Sequence, residues 1–199
     1  MEAQIEDPAL EIKRLQRSMN DLVSLLALPS IWRGSEPSKI VQTLLDVLLR
    51  MLSLDFAHAR LSDAFGAVPI EILRVGKESK INLSGQELRN MLGSSLAGSA
   101  QGSLPQVRDQ LEVEGILILS AQLGVQGEIG VIVLGSSRAS FPEKAESLLI
   151  KVAANQASIG LQGARSLSEQ KRISAELNAE NQTWPVLTES ETDRARGRV

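Results

Sequence analysis

Ile5, Pro8, Ile12, Leu15, Met19, Leu22 and Leu26 recur at alternating intervals of three and four residues. Apolar residues repeating every ~3.5 positions mark the thin a/d seam of a helix that packs on another helix. Lys13, Arg14, Arg17, Asn20 and Asp21 fall off that seam. The pattern predicts a helix over residues 9–28. So narrow a stripe calls for a partner as narrow as itself. Leu25 and Leu28 widen the stripe near its end. Pro29 is expected to stop the helix, because proline disfavours the helical conformation in the residue before it. The functional expectation is a two-copy helix bundle with Ile12, Leu15, Met19, Leu22 and Leu26 in its seam. The plainer reading folds this helix back on its own domain.

A chain of 199 residues is long enough for one domain with a real core plus extra helices. Aromatic residues make up only 3 %, so Leu, Ile, Val and Ala must fill that core. A second helix is expected from Ser35-Glu36-Pro37, where proline suits the first turn because its missing N–H would be unpaired anyway. Ile40, Val41, Leu44, Leu45, Leu48, Leu49 and Leu52 give this helix a broad apolar face, suited to lying on a sheet. Residues 56–61 and 68–75 read as a strand hairpin. Phe56, His58 and Arg60 share one face of the first strand, with Ala57, Ala59 and Leu61 on the other, because side chains alternate. Pro69 places the second strand at its own start or at a sheet edge. A short strand is expected at 80–83 and a short helix at 84–92, followed by a Gly/Ser-rich loop over 93–103. Residues 115–123 and 128–135, linked by Gly124-Val125-Gln126-Gly127, form a second antiparallel hairpin at the sheet centre.

The remainder reads as one long helix. It opens at Phe141-Pro142-Glu143 with Ser140 as cap. Leu148, Leu149, Val152, Ala153, Gln156, Ile159 and Ala164 carry its apolar face, which continues through Leu167, Ile173 and Leu177 to an expected stop at Pro185. A helix of that length outruns one domain core. Val152 and Ile159 are therefore assigned to the same dimer seam as the first helix.

Several chemistries are excluded. The net charge is −3, and basic residues do not gather on one face as phosphate neutralisation requires, so no direct nucleic-acid contact is expected. Arg194, Arg196 and Arg198 read as a solvated tail. The absence of cysteine removes disulfides, thiolate nucleophiles and Cys-ligated zinc. The chain opens on Met1-Glu2-Ala3-Gln4 without an apolar leader, and its most apolar stretch, Ile40 to Leu54, is broken by Gln42, Asp46 and Arg50. No membrane span is expected, and the location is read as cytoplasmic.

Gly127-Glu128-Ile129-Gly130-Val131-Ile132-Val133-Leu134-Gly135-Ser136 looks like the last central strand of GAF domains. Residues 141–157, with an aromatic opener, a carboxylate, the Leu148-Leu149 pair and the small-residue stretch Val152-Ala153-Ala154-Asn155-Gln156-Ala157, are similar to that family's closing helix. The chain therefore resembles a GAF domain over residues 37–165. The resemblance implies an α+β, profilin-like fold: a central antiparallel sheet flanked by helices, with long N- and C-terminal helices forming a dimer bundle. It divides the chain into an N-terminal coiled-coil helix (1–30), a GAF domain (31–165), a connector helix (166–184) and a polar tail (185–199).

What the resemblance implies for function is a bacterial sensory or regulatory module. Such a module binds a small molecule or partner and relays its state, as a homodimer, to a fused or separate kinase or transcription output. The alternative is a structural dimerisation and spacer domain without ligand. No enzymatic output is expected, and no cofactor. Lack of cysteine also removes two activities known in the family, bilin attachment and Cys-based methionine sulfoxide reduction. Phe56, His58, Arg60, Ile72, Arg74, Leu117 and Leu119 are the candidate ligand-pocket residues. His58, the single histidine, could in principle hold haem iron, but a lone strand histidine is more commonly structural. Arg60 and Arg74 could grip a carboxylate or phosphate bidentately. The plainer reading is exposed strand arginines pairing with neighbours such as Glu71. The 93–103 loop lacks the glycine spacing of phosphate cradles, and reads equally as a lid or a surface loop. No group of residues has metal-ligand spacing or the makings of a catalytic triad.

Overall fold

The structure is a computed structural model and describes residues 8–62, 69–77, 79, 108–113 and 115–196. In chain order the elements are α1 (Pro8–Ile31), α2 (Pro37–Met51), β1 (Phe56–Leu61), β2 (Glu71–Val75), β3 (Arg108–Val113), β4 (Ile116–Leu123), β5 (Gly130–Ser136) and α3 (Lys144–Arg196). The strands form one five-stranded sheet in the order β2-β1-β5-β4-β3, and every neighbouring pair is antiparallel.

Alternation along the strands separates two faces. Leu134 lies between Ala57 and Leu119, and Ile132 lies between Ala59 and Ala121. These residues face the helices and join the main core. The small side chains Ala57, Ala59 and Ala121 of the sheet and Ala153, Ala154 and Ala157 of α3 belong to the same core, and small residues let packed elements approach closely. Ile40, Val41, Leu44, Leu45 and Leu48 bury the inner face of α2, which packs on β1 and β2 while α3 packs on β4. Each fully buried aliphatic side chain contributes about 1.5–3 kcal/mol. α1 packs on α3 through its last turns, where Leu25, Leu28 and Trp32 are buried.

The sequence expectations fare unevenly at the ends of the elements. Pro29 does not stop α1, which runs on to Ile31 with the proline inside it. Burial of Leu28 and Trp32 and the hydrogen bond from the Trp32 N–H to the Leu28 carbonyl (3.2 Å) hold the turn beyond it. Ser140 does not cap α3, which starts at Lys144. There the Glu143 N–H donates to Glu146 Oε2 (2.9 Å), half of a capping box. Nor does Pro185 end α3, which continues to Arg196, through most of the expected polar tail. Proline removes a single backbone donor, and the hydrogen-bond ladder can resume a turn later. The strand β3 has no counterpart in the sequence reading, and β2 and β5 start later than expected. The expected strand at 80–83, the helix at 84–92 and the loop at 93–103 lie outside the described residues. Among the described residues, no helix is long and apolar enough to cross a membrane.

One glycine is dictated by close approach. Gly130 opens β5 with φ 152°, and a Cβ there would run into the Arg60 carbonyl oxygen on β1.

Candidate functional site

The seven candidate pocket residues do not share a face. Phe56, His58 and Arg60 lie on the sheet face away from the helices. Ile72 registers against Ala59 and Arg74 against Ala57, which turns both towards the helices. Leu117 and Leu119 face the same way, Leu119 in the main core and Leu117 packed against it. The structure instead brings Phe56 together with Ile116, Ile118 and Val133, flanked by Leu73 and Val131, in a second buried cluster on the far face. Gly135 lies beneath Phe56, and a Cβ there would strike the ring at Cε1.

His58 is fully buried, and its Nε2 lies 2.9 Å from Glu71 Oε1. The two side chains meet diagonally across the β1–β2 pair, since His58 registers against Leu73 and Arg60 against Glu71. Arg74 therefore does not pair with Glu71, as the plainer sequence reading had it. Its Nε donates to Asp46 Oδ1 on α2 (3.2 Å). Arg60 is exposed.

The seam residues divide differently. Ile12, Leu15, Met19 and Leu26 are 53–67 % exposed, as is Val23 (66 %). The exposed stripe 12-15-19-23-26 runs at intervals of three, four, four and three, which lie on one helix face but break the strict a/d alternation. It passes through Val23 in place of Leu22, which is half-buried against the core. On α3, Ile159 is 52 % exposed, whereas Val152 packs against the core. Leu148, Leu167, Ile173 and Leu177 add further exposed apolar residues along α3. Apolar stripes of this size on a protein surface mark interaction sites.

Two tethers tie the sheet to the helices. The Gly124 N–H, at the β4–β5 turn, donates to Ser158 Oγ (2.7 Å), and that buried hydroxyl donates to the Ala154 carbonyl (2.7 Å). In the same turn, Glu128 accepts the Val125 and Gln126 N–H groups (3.2 and 2.9 Å). Backbone hydrogen bonds, Gln126 foremost, hold the Glu128 carboxyl below the usual carboxylate range. The second tether is Arg138, between β5 and α3. Its Nη2 donates to the Leu52 carbonyl (2.8 Å) and to Glu146 Oε1 in the first turn of α3 (2.7 Å).

Beside Arg138 lies a groove of about 760 Å³ between the end of α2, the exit of β2 and the start of the β5–α3 link. Asp55 lines it, buried, and its Oδ2 accepts the Ser137 N–H (2.6 Å). Ser53 also lines it, with φ 49°, a left-handed conformation that costs a non-glycine residue roughly 1–2 kcal/mol. It follows the α2 C-cap, where the Leu54 N–H donates back to the Leu49 carbonyl (3.1 Å). The groove was not visible in the sequence, because its walls come from separate segments with no common spacing. Among the described residues, no group of His, Asp or Glu could hold a metal ion.

No family model matches the sequence, and no curated protein does. In structure the chain is similar to the GAF domain of a protein assigned as a sensor histidine kinase from Pseudomonas syringae pv. tomato. The TM-score is 0.52 at 17 % identity, covering 81 % of this chain and 98 % of that one. A likeness at that identity establishes a GAF-like α+β fold.

Proposed function

We propose that this chain is a GAF-type regulatory module that works as a homodimer and passes its state along the terminal helices to a kinase or transcription output, fused or separate. The observation that carries this reading is the exposed apolar stripe Ile12-Leu15-Met19-Val23-Leu26 on α1, together with the exposed Ile159, Ile173 and Leu177 on α3. A second copy is the partner whose stripe matches it in width and polarity. The tethers through Ser158 and Arg138 give the sheet a mechanical link to α3. A ligand or partner that favours one arrangement of the sheet would bias the packing of the bundle by its differential affinity for the two arrangements. Function here is regulatory, without chemistry of its own.

A second reading, a dimerising spacer without ligand, draws on the far face of the sheet. There Phe56, Ile116, Ile118 and Val133 are already buried. Native mass spectrometry of the purified chain separates the readings. A two-copy mass carrying an extra small molecule supports the sensor, and a bare two-copy mass supports the spacer. A one-copy mass at every concentration overturns both.

A further inference from the structure

We propose that the groove between α2, β2 and the β5–α3 link binds a small organic anion carrying two or more carboxylate or phosphoryl groups. Three cationic side chains from three separate segments, Arg50, Lys77 and Arg138, line it. Each keeps donors that are not committed. Arg50 spends Nε on the Asp46 carbonyl (3.1 Å), and Arg138 spends Nη2 alone. The remaining terminal nitrogens of both, and Lys77 Nζ, meet no acceptor among the described residues. Asp46 and Asp55 also line the groove. Asp46 pairs with Arg74, Asp55 accepts the Ser137 amide, and Arg138 is shared with Glu146, so Arg50 and Lys77 supply the positive charge not committed to an ion pair.

Planar guanidinium forks suit carboxylate and phosphate oxygens, and a lysine adds a point charge. Leu49, Leu54 and Val75 give the same groove apolar wall for a carbon skeleton. The C-terminal carbonyls of α2 disfavour an anion, but Arg138 already covers the Leu52 oxygen. An anion that recruits Arg138 competes with Glu146, whose other oxygen closes the start of α3. Occupancy would therefore be felt at the root of α3, a consequence that rests on the regulatory reading above. Binding itself does not.

The test is a titration of the full chain with pyrophosphate and, separately, citrate, followed by amide NMR, with sodium chloride at matched ionic strength as control. The expected result is saturable shifts at Gly76 and Ser137 for at least one of the two anions. The preferred one tells a phosphoryl from a carboxylate ligand. R50A and K77A, both on exposed residues, should each weaken binding at least about tenfold, roughly 1.4 kcal/mol, with unchanged circular dichroism. Absence of saturation below roughly 10 mM, shifts equal to those with chloride, or affinity unaltered in both variants would overturn the site. A chain that binds the anion as a monomer would retain this site and remove the bundle. A dimer that ignores both anions would do the reverse.

Discussion

Ser158→Ala tests the tether between the β4–β5 turn and α3. The Ser158 hydroxyl is the acceptor for the Gly124 N–H at 2.7 Å, and both residues are buried. Alanine removes that acceptor and leaves a buried donor unsatisfied, at a cost of about 1–3 kcal/mol. Alanine is also the better helix former, which returns about 0.5 kcal/mol. The Ala154 carbonyl is less affected, because it belongs to α3 and the hydroxyl only adds to its helical bonding. The net expectation is a loss of about 1–2 kcal/mol. Urea unfolding followed by circular dichroism, at fixed protein concentration, should show the midpoint falling by about 0.5–1 M for a slope near 2 kcal/mol/M. Hydrogen exchange should show the Gly124 amide losing protection. Ser158→Thr keeps the hydroxyl and serves as the control. A Ser158→Ala midpoint equal to wild type, together with unchanged Gly124 exchange, would refute the reasoning.

Gly135→Val drives a side chain into the Phe56 ring and is expected to destabilise the fold by about 1–3 kcal/mol, read as a lower thermal midpoint. Gly160→Val does the same to Trp32, since even a Cβ at Gly160 would lie 2.8 Å from the ring carbon Cε3. It should weaken the joint between α1 and α3 and increase proteolysis within α1. For pH, the folded-state pKa of Glu128 is depressed, so its contribution is present above the unfolded value and is lost as pH falls through the folded value. Glu128→Gln should therefore lower stability at neutral pH, and the gap to wild type should close on acidification below the normal glutamate range. A gap that widens on acidification would contradict this.

The parts legible in the sequence were those set by local periodicity. The broad face of α2 and the alternation in Phe56–Leu61 follow from side-chain geometry alone, and β1 spans the expected residues. β2 does lie at a sheet edge, one of the two positions read from Pro69, although Pro69 itself precedes the strand, which starts at Glu71. The candidate pocket failed to assemble because its membership depended on register. A shift of one residue sends every side chain of a strand to the other face. In the folded chain His58 registers against Leu73, so Leu73 and not Ile72 joins Phe56. β3 escaped notice because Arg108-Asp109-Gln110-Leu111-Glu112-Val113 is polar at most positions, as an edge strand can be. Both prolines overran their expected stops because a local penalty of about 3 kcal/mol competes with the rest of a helix. The seam was legible in its period, but its path through Val23 rather than Leu22 was not. The flanking positions Leu22 and Leu25 pack on the protomer's own core, and only the folded chain shows which leucines are claimed there.

The measurement that bears most directly on the regulatory account is light scattering of the full chain at tens of micromolar, alongside the paired variant Leu15→Glu with Met19→Glu. Both residues are exposed, at 56 % and 67 %, so the substitutions leave the protomer's own core intact. The account predicts a two-copy mass for the wild type and a one-copy mass for the variant, with equal helix content. A wild type that scatters as a single copy, or a variant that remains paired, would contradict it.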